Sequence, residues 1–186
     1  PEETPFPSTI CASVNRQLVH AYAKKSVRLK KGDIFSIDIG MEYPVKKNYR
    51  GFFTDTAITV AIGDVPAEVK KLLEITQKSL EAGMKAIKAG NTVADIGRAI
   101  EQYVKSQGKY GIIRDLVGHG VGYEVHEEPR IPNFYDKNLE SWVLKPGMVV
   151  AIEPMISLGD HRVQTAKDGW AIETADGSLC AHFEHT

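Results

Sequence analysis

The chain has 186 residues, 42% of them apolar and 25% charged, which fits one globular domain with a sizeable core and no compositional sign of disorder. Its 23 basic and 24 acidic residues leave a net charge of −1 with no long block of one sign, so neither a nucleic-acid nor an anionic-membrane partner is expected. No apolar run approaches the eighteen or so residues of a membrane span and the first residues lack a signal-peptide core, so a cytoplasmic location is expected.

In chain order, the basic stretch from Lys24-Lys25 to Lys30-Lys31 reads as a solvated loop. Asp33 to Ile39 and Thr54 to Ile62 are short β-branched or apolar runs, hence strands. After Pro66, Val69, Leu72, Leu73, Thr76, Leu80, Met84 and Ile87 recur at steps of three and four, which predicts one long amphipathic helix ending before Gly90. Thr92 with Asp95 three positions on is a capping signature for a second helix, striped by Val93, Ile96, Ile100, Tyr103 and Val104 and stopped at Gly108. Three more strands are predicted over Met148 to Ser157, Trp170 to Thr174 and Ser178 to Glu184, giving an α+β class. Cys11 and Cys180 cannot build a disulfide framework, and without a CxxC pair any metal must sit on carboxylates and histidines.

Two segments share a template. Leu29-Lys30-Lys31-Gly32-Asp33-Ile34-Phe35-Ser36-Ile37-Asp38 aligns without gaps on Leu144-Lys145-Pro146-Gly147-Met148-Val149-Val150-Ala151-Ile152-Glu153, so that Asp38 meets Glu153. A duplicated αβ unit would explain why each copy ends an apolar strand on a carboxylate, which is costly unless paired or bound to metal. Asp55 in Phe-Thr-Asp-Thr, His119 in Gly-His-Gly-Val-Gly and Glu184 in Phe-Glu-His-Thr sit in similar apolar or glycine-rich frames. Two like charges about 4 Å apart repel by about 4 kcal/mol at an effective dielectric near 20, so four converging carboxylates call for cations. Oxygen ligands with one imidazole suit Mn²⁺, Fe²⁺, Co²⁺ or Zn²⁺, and a close pair of such ions is an arrangement that activates water for hydrolysis.

Gly118-His119-Gly120-Val121-Gly122 with His126-Glu127-Glu128-Pro129, then Lys145-Pro146-Gly147-Met148, Ile152-Glu153-Pro154-Met155, Trp170 and Asp176-Gly177-Ser178-Leu179 leading to Phe183-Glu184-His185-Thr186, together resemble the type I methionine aminopeptidases. The resemblance runs from Phe6 to Thr186. It implies a pita-bread fold, two pseudo-symmetric halves around a curved antiparallel sheet, and two divalent metal ions. It further implies that Asp55 and Glu184 bridge both metals, that Asp38 chelates one, and that His119 and Glu153 complete the other. The implied activity is removal of the initiator methionine from nascent proteins by metal-activated hydroxide attack on the first peptide bond. Glu153 would be the proton shuttle, His126 would polarise the scissile carbonyl and His20 would contact the scissile amide. Phe6, Cys11, Val125 and Trp170 are expected along the methionine pocket, while His161, His182 and His185 carry no assigned role. Nascent polypeptide N-termini are the expected partners, with ribosome association an open possibility and a monomer the expected state. Residues 1–186 are read as a single catalytic domain, without the helices that the family has before Phe6 or the strand beyond Thr186.

The pattern departs from the family at Tyr43 to Arg50, an inserted loop whose Lys46, Lys47 and Arg50 are read as solvated, with the cleft mouth as the alternative. Val125 stands where an aromatic is common, and His20 lies in Val-His-Ala rather than Cys-His-Gly, so either a wider pocket or a less tight turn is expected. No insertion separates His119 from Glu153, which speaks against the type II branch. The rivals are an Xaa-Pro aminopeptidase or prolidase of the same fold, disfavoured by Met155 and the Glu184-His185-Thr186 ending, and a non-catalytic binding module, disfavoured by the retained acids.

Overall fold

A computed structural model describes residues 5–186. Two short strands, β1 (Cys11–Val14) and β2 (Gln17–Val19), precede a long hairpin of β3 (Ile34–Tyr43) and β4 (Phe52–Ala61). Helices α1 (Ala67–Lys85) and α2 (Val93–Gln107) follow. The second half is cut into short pieces: β5 (Gly111–Ile112), β6 (Gly118–Gly120), β7 (Glu127–Ile131), β8 (Val150–Ala151), β9 (Met155–Ser157), β10 (Val163–Thr165), β11 (Ile172–Thr174), β12 (Cys180–His182) and β13 (Glu184–His185). Among the described residues every strand pairing is antiparallel, and the ladders form a four-stranded sheet ordered β1-β3-β4-β13 and three three-stranded sheets.

Both helices form where the apolar spacing predicts. Val69, Leu72, Ile75 and Leu80 of α1 and Val93, Ile96, Ile100 and Val104 of α2 are buried in one core with Ile131, Ile152 and Ile156. Burying one such side chain is worth about 1.5–3 kcal/mol, so this apolar seam, rather than helix propensity, holds the pair on the sheets. Thr76 and Ser79 share the buried face without penalty, because their hydroxyls donate to the carbonyls of Leu72 (2.8 Å) and Thr76 (2.7 Å). At the start of α2 the Asp95 carboxylate accepts from the Thr92 N–H (2.8 Å) and hydroxyl (2.9 Å), completing the predicted cap. The first helix stops at Lys85, so Ile87 lies outside it and is exposed.

The duplicated template has a structural counterpart in its turn. Gly32 and Gly147 both have positive φ (98° and 89°), and the N–H after each donates to the lysine carbonyl three residues back, Asp33 to Lys30 (3.0 Å) and Met148 to Lys145 (3.2 Å). Beyond the turn the copies differ. Asp38 lies midway along β3 and does not close it, and the run Met148 to Ser157 is split into β8 and β9. The break comes at Ile152, which pairs with His185 through two backbone bonds (3.0 and 3.1 Å), and at Glu153-Pro154, where proline has no N–H for a ladder. Ser178 to Glu184 is likewise interrupted at Phe183.

Candidate metal centre and cavity

Register explains why residues far apart in sequence converge. In the four-stranded sheet Cys11 faces Asp38, Asp38 faces Ala57 and Ala57 faces Glu184. Side chains opposite one another across adjacent strands share a sheet face, and residues two apart on one strand share it as well. Asp55, two before Ala57 on β4, therefore joins Cys11, Asp38 and Glu184 on the same face. The second half supplies the rest by the same rule: His119 pairs with Ala151, and Glu153 lies two residues beyond Ala151. The two backbone bonds between Ile152 and His185 stitch that segment to β13 next to Glu184.

Three overlapping groups result: Asp38, Asp55 and Glu184; His119, Glu153 and Glu184; and Asp55, His119 and His126, with donor atoms within 4.8 Å of one another in each. The imidazole of His119 is oriented by Nδ1, which lies 2.9 Å from the Gly120 carbonyl and donates to it, leaving Nε2 as a lone-pair donor 3.7 Å from Glu153 Oε1. The glycines beside it are demanded by packing. A Cβ at Gly118 would lie 2.3 Å from the Ala151 oxygen, and one at Gly120 would lie 2.2 Å from the Glu128 oxygen.

The electrostatics fit a cationic guest. Among the described residues no lysine or arginine nitrogen lies within 4.0 Å of the Asp38, Asp55, Glu153 or Glu184 carboxylates; their ion-pair contacts are with His119 and His182. Burial and the charge of Asp55 push Asp38 up to about 7, and burial with Glu153 and the aspartates pushes Glu184 up to about 10. Glu153 is raised well above the carboxylate range by burial, then by Asp38 and Asp55. A cluster this reluctant to ionise by itself has the donor set and the charge to hold divalent cations.

The carboxylates and histidines line a cavity of about 410 Å³ together with Phe6, Cys11, Val19, His20, Leu116, Val125 and His126. Burial, then the adjacent Asp38 charge, pushes the Cys11 thiol up to about 12, so it serves as a neutral wall. His20 and His126 stand at the rim, and partial burial lowers the pKa of each. His20 has φ +57°, an uncommon conformation for a non-glycine residue that aims its ring at the cavity. The His126 ring packs edge-on to His119 with centroids 4.4 Å apart. Trp170 is the expected pocket residue that the structure does not put on the wall: it lies behind Phe6, rings edge-on at 5.4 Å. Arg50, Lys46 and Lys47 do not line the cavity either.

Sequence reading gave His182 no role, yet it is 1% exposed with Nε2 3.6 Å from Glu153 Oε2 and 4.0 Å from Glu184 Oε2. Neither ring nitrogen has a hydrogen-bond partner among the described residues, and burial depresses its pKa to about 3, keeping it neutral. Period-two alternation is the signal that could have found it, since His182 lies two before Glu184. Thr186, the last residue of the ending motif, is tied to Asp55. Its hydroxyl accepts from the Asp55 N–H and donates to the Asp55 carbonyl, both at 2.8 Å. Asn133, wholly buried, donates to the Glu153 carbonyl (3.0 Å).

The sequence matches metallopeptidase family M24 over residues 2–186, and the chain belongs to that family. It is 45% identical over 181 residues to the methionine aminopeptidase of Borreliella burgdorferi, covering 97% of this chain and 69% of that protein. The crystal structure of methionine aminopeptidase from Thermotoga maritima superposes with a TM-score of 0.86 at 44% identity, over 95% of this chain and 68% of that one. Prolidase from Pyrococcus furiosus is more distant, with a TM-score of 0.68 at 25% identity over 98% of this chain and 46% of that one. Within M24 the chain is of the type I methionine aminopeptidase kind, and its architecture is the pita-bread fold.

Proposed function

We propose that this protein removes the N-terminal methionine from newly made polypeptides. The carrying observation is the gathering of Asp38, Asp55, His119, Glu153 and Glu184 on one cavity, in a chain over 40% identical to methionine aminopeptidases. In this reading those five residues would hold two divalent ions (cobalt, manganese, iron or zinc). When bound, such ions supply Lewis acidity to the nucleophilic water and to the scissile carbonyl.

The remaining steps belong to the chain. Glu153, starting as the carboxylate with a basicity that burial raises, would take a proton from the attacking water and pass it to the departing amine. His126, neutral because its pKa is lowered, donates a hydrogen bond to the carbonyl oxygen as negative charge builds there, and His20 holds the scissile amide. Phe6, Cys11 and Val125 receive the thioether side chain, with Trp170 supporting Phe6 from behind. The same reading has the enzyme acting in the cytoplasm as a monomer on nascent chains, including those still on the ribosome; no helix among the described residues is long and apolar enough to cross a membrane.

The protein, supplied with Co²⁺ or Mn²⁺, should release methionine from Met-Ala-Ser and leave Met-Lys-Ser and Ala-Pro-Ser largely intact, as followed by chromatography of the products. A preference for the Xaa-Pro peptide would hand the site to prolidase-type chemistry instead.

A further inference from the structure

The loop between β3 and β4 carries a set of contacts that its solvated appearance in the sequence does not suggest. Arg50 Nε donates to the Tyr123 carbonyl (3.0 Å), its guanidinium forms an ion pair with Glu124, and the same group lies 5.5 Å over the Tyr123 ring. Phe52 stacks on that ring with centroids 4.9 Å apart and planes 29° apart, and the Phe53 N–H donates to the Gly122 carbonyl (2.8 Å). All of these contacts grip residues 122–124, a stretch with no helix or strand of its own. Its own restraints are few: Gly122 N–H to the Glu124 carbonyl at 3.2 Å, and Glu124 N–H to Glu127 Oε1 at 2.9 Å. The next two residues, Val125 and His126, form the cavity wall. Val125 packs so closely on β3 that its Cγ2 lies 3.4 Å from where a Cβ on Gly40 would be, and His126 rests on His119.

We propose that Arg50 and Phe52 at the tip of the β3–β4 hairpin are positioning residues that brace the Gly122–Glu124 segment and thereby fix Val125 and His126 against the cavity, setting the width of the pocket for the substrate's first side chain. The hairpin that carries Asp38 and Asp55 at its middle thus also holds the facing wall from its tip, and strand stiffness ties the two together. An arginine that stacks, donates to a carbonyl and pairs with a carboxylate at once is held far more firmly than an isolated surface pair. The substrate part of the inference rests on the aminopeptidase reading; the brace itself does not.

The test compares the whole protein with Arg50→Ala, Phe52→Leu and Lys46→Ala, first by amide hydrogen exchange without metal, then by steady-state kinetics on Met-Ala-Ser and Phe-Ala-Ser with Mn²⁺. Arg50→Ala should speed exchange at Gly122 and Glu124 by about tenfold, raise KM for Met-Ala-Ser about tenfold with a smaller change in kcat, and relax discrimination against Phe-Ala-Ser. Phe52→Leu should show the same pattern at smaller scale, and Lys46→Ala should change nothing. Unaltered exchange in Arg50→Ala, faster exchange with unaltered KM and selectivity, or an equal response in Lys46→Ala would each overturn the proposal. If the unmodified protein fails to release methionine, the functional reading is at fault, while the exchange comparison still decides whether the brace exists.

Discussion

Asp38 and Glu184 flank Ala57 across three adjacent strands, a placement that forces two acids together regardless of what they bind. Their folded-state pKa values, about 7 and about 10, lie above the unfolded values near 4, so without metal the folded state holds their protons the more tightly. The stability they contribute is therefore complete below about pH 4 and drains away as pH rises, through about 7 for Asp38 and on toward about 10 for Glu184. Calorimetry in the presence of a chelator should show the melting temperature falling between pH 5 and pH 8. Added Mn²⁺ should recover most at the alkaline end, where the ligands are easiest to deprotonate. A metal-free Tm that climbs over that range would contradict this. Glu184→Gln separates the two roles: it should raise the metal-free Tm at pH 8, because the glutamine need not take up a proton on folding, and lower kcat by more than about 100-fold by weakening metal loading. Full activity in that variant would remove Glu184 from the site. The four acids and His119 were legible because carboxylates in apolar frames are costly. His182 was not, since one imidazole in a sequence looks like any other, and only its approach to Glu153 and Glu184 in the fold gives it meaning.

The hairpin β3–β4 and the helix pair carry the architecture, and both were visible in the chain because their apolar periodicity runs for ten residues or more. The second half was harder to read, since strands of two or three residues offer too few positions for alternation to register. The predicted Met148 to Ser157 strand failed at Pro154, a residue that should have signalled the break. Composition also could not show that the polar loop 44–51 would grip residues 122–124, because those contacts join segments some seventy residues apart. Helix packing yields a prediction opposite in sign to propensity. Ala is the better helix former by about 1 kcal/mol, yet a Cβ at Gly97 of α2 would lie 2.2 Å from the Phe134 oxygen and 2.7 Å from the Pro132 oxygen, both backbone atoms. Gly97→Ala should therefore destabilise by about 1–3 kcal/mol, lowering Tm by at least about 3 °C in a thermal melt. A rise in Tm would mean that the 132–134 segment yields freely.

At the scale of the molecule, two halves built on a related turn, Gly32 in one and Gly147 in the other, each present a carboxylate to a shared cavity. The halves meet where β13 of the second pairs with β4 of the first, Glu184 opposite Ala57, and Ile152 is bridged onto His185 beside it, so the centre lies on the seam and depends on both. The shared turn was readable in ten aligned residues. That the halves join by pairing β13 with β4 and β11 with β2 was not, because strands of two or three residues carry too little pattern. The account stands or falls on cations bound at that seam. Crystals grown with Mn²⁺ and measured at the manganese absorption edge should give two anomalous peaks, one among Asp38, Asp55 and Glu184 and one among His119, Glu153 and Glu184. A folded, manganese-loaded crystal with no anomalous density between these residues would contradict it.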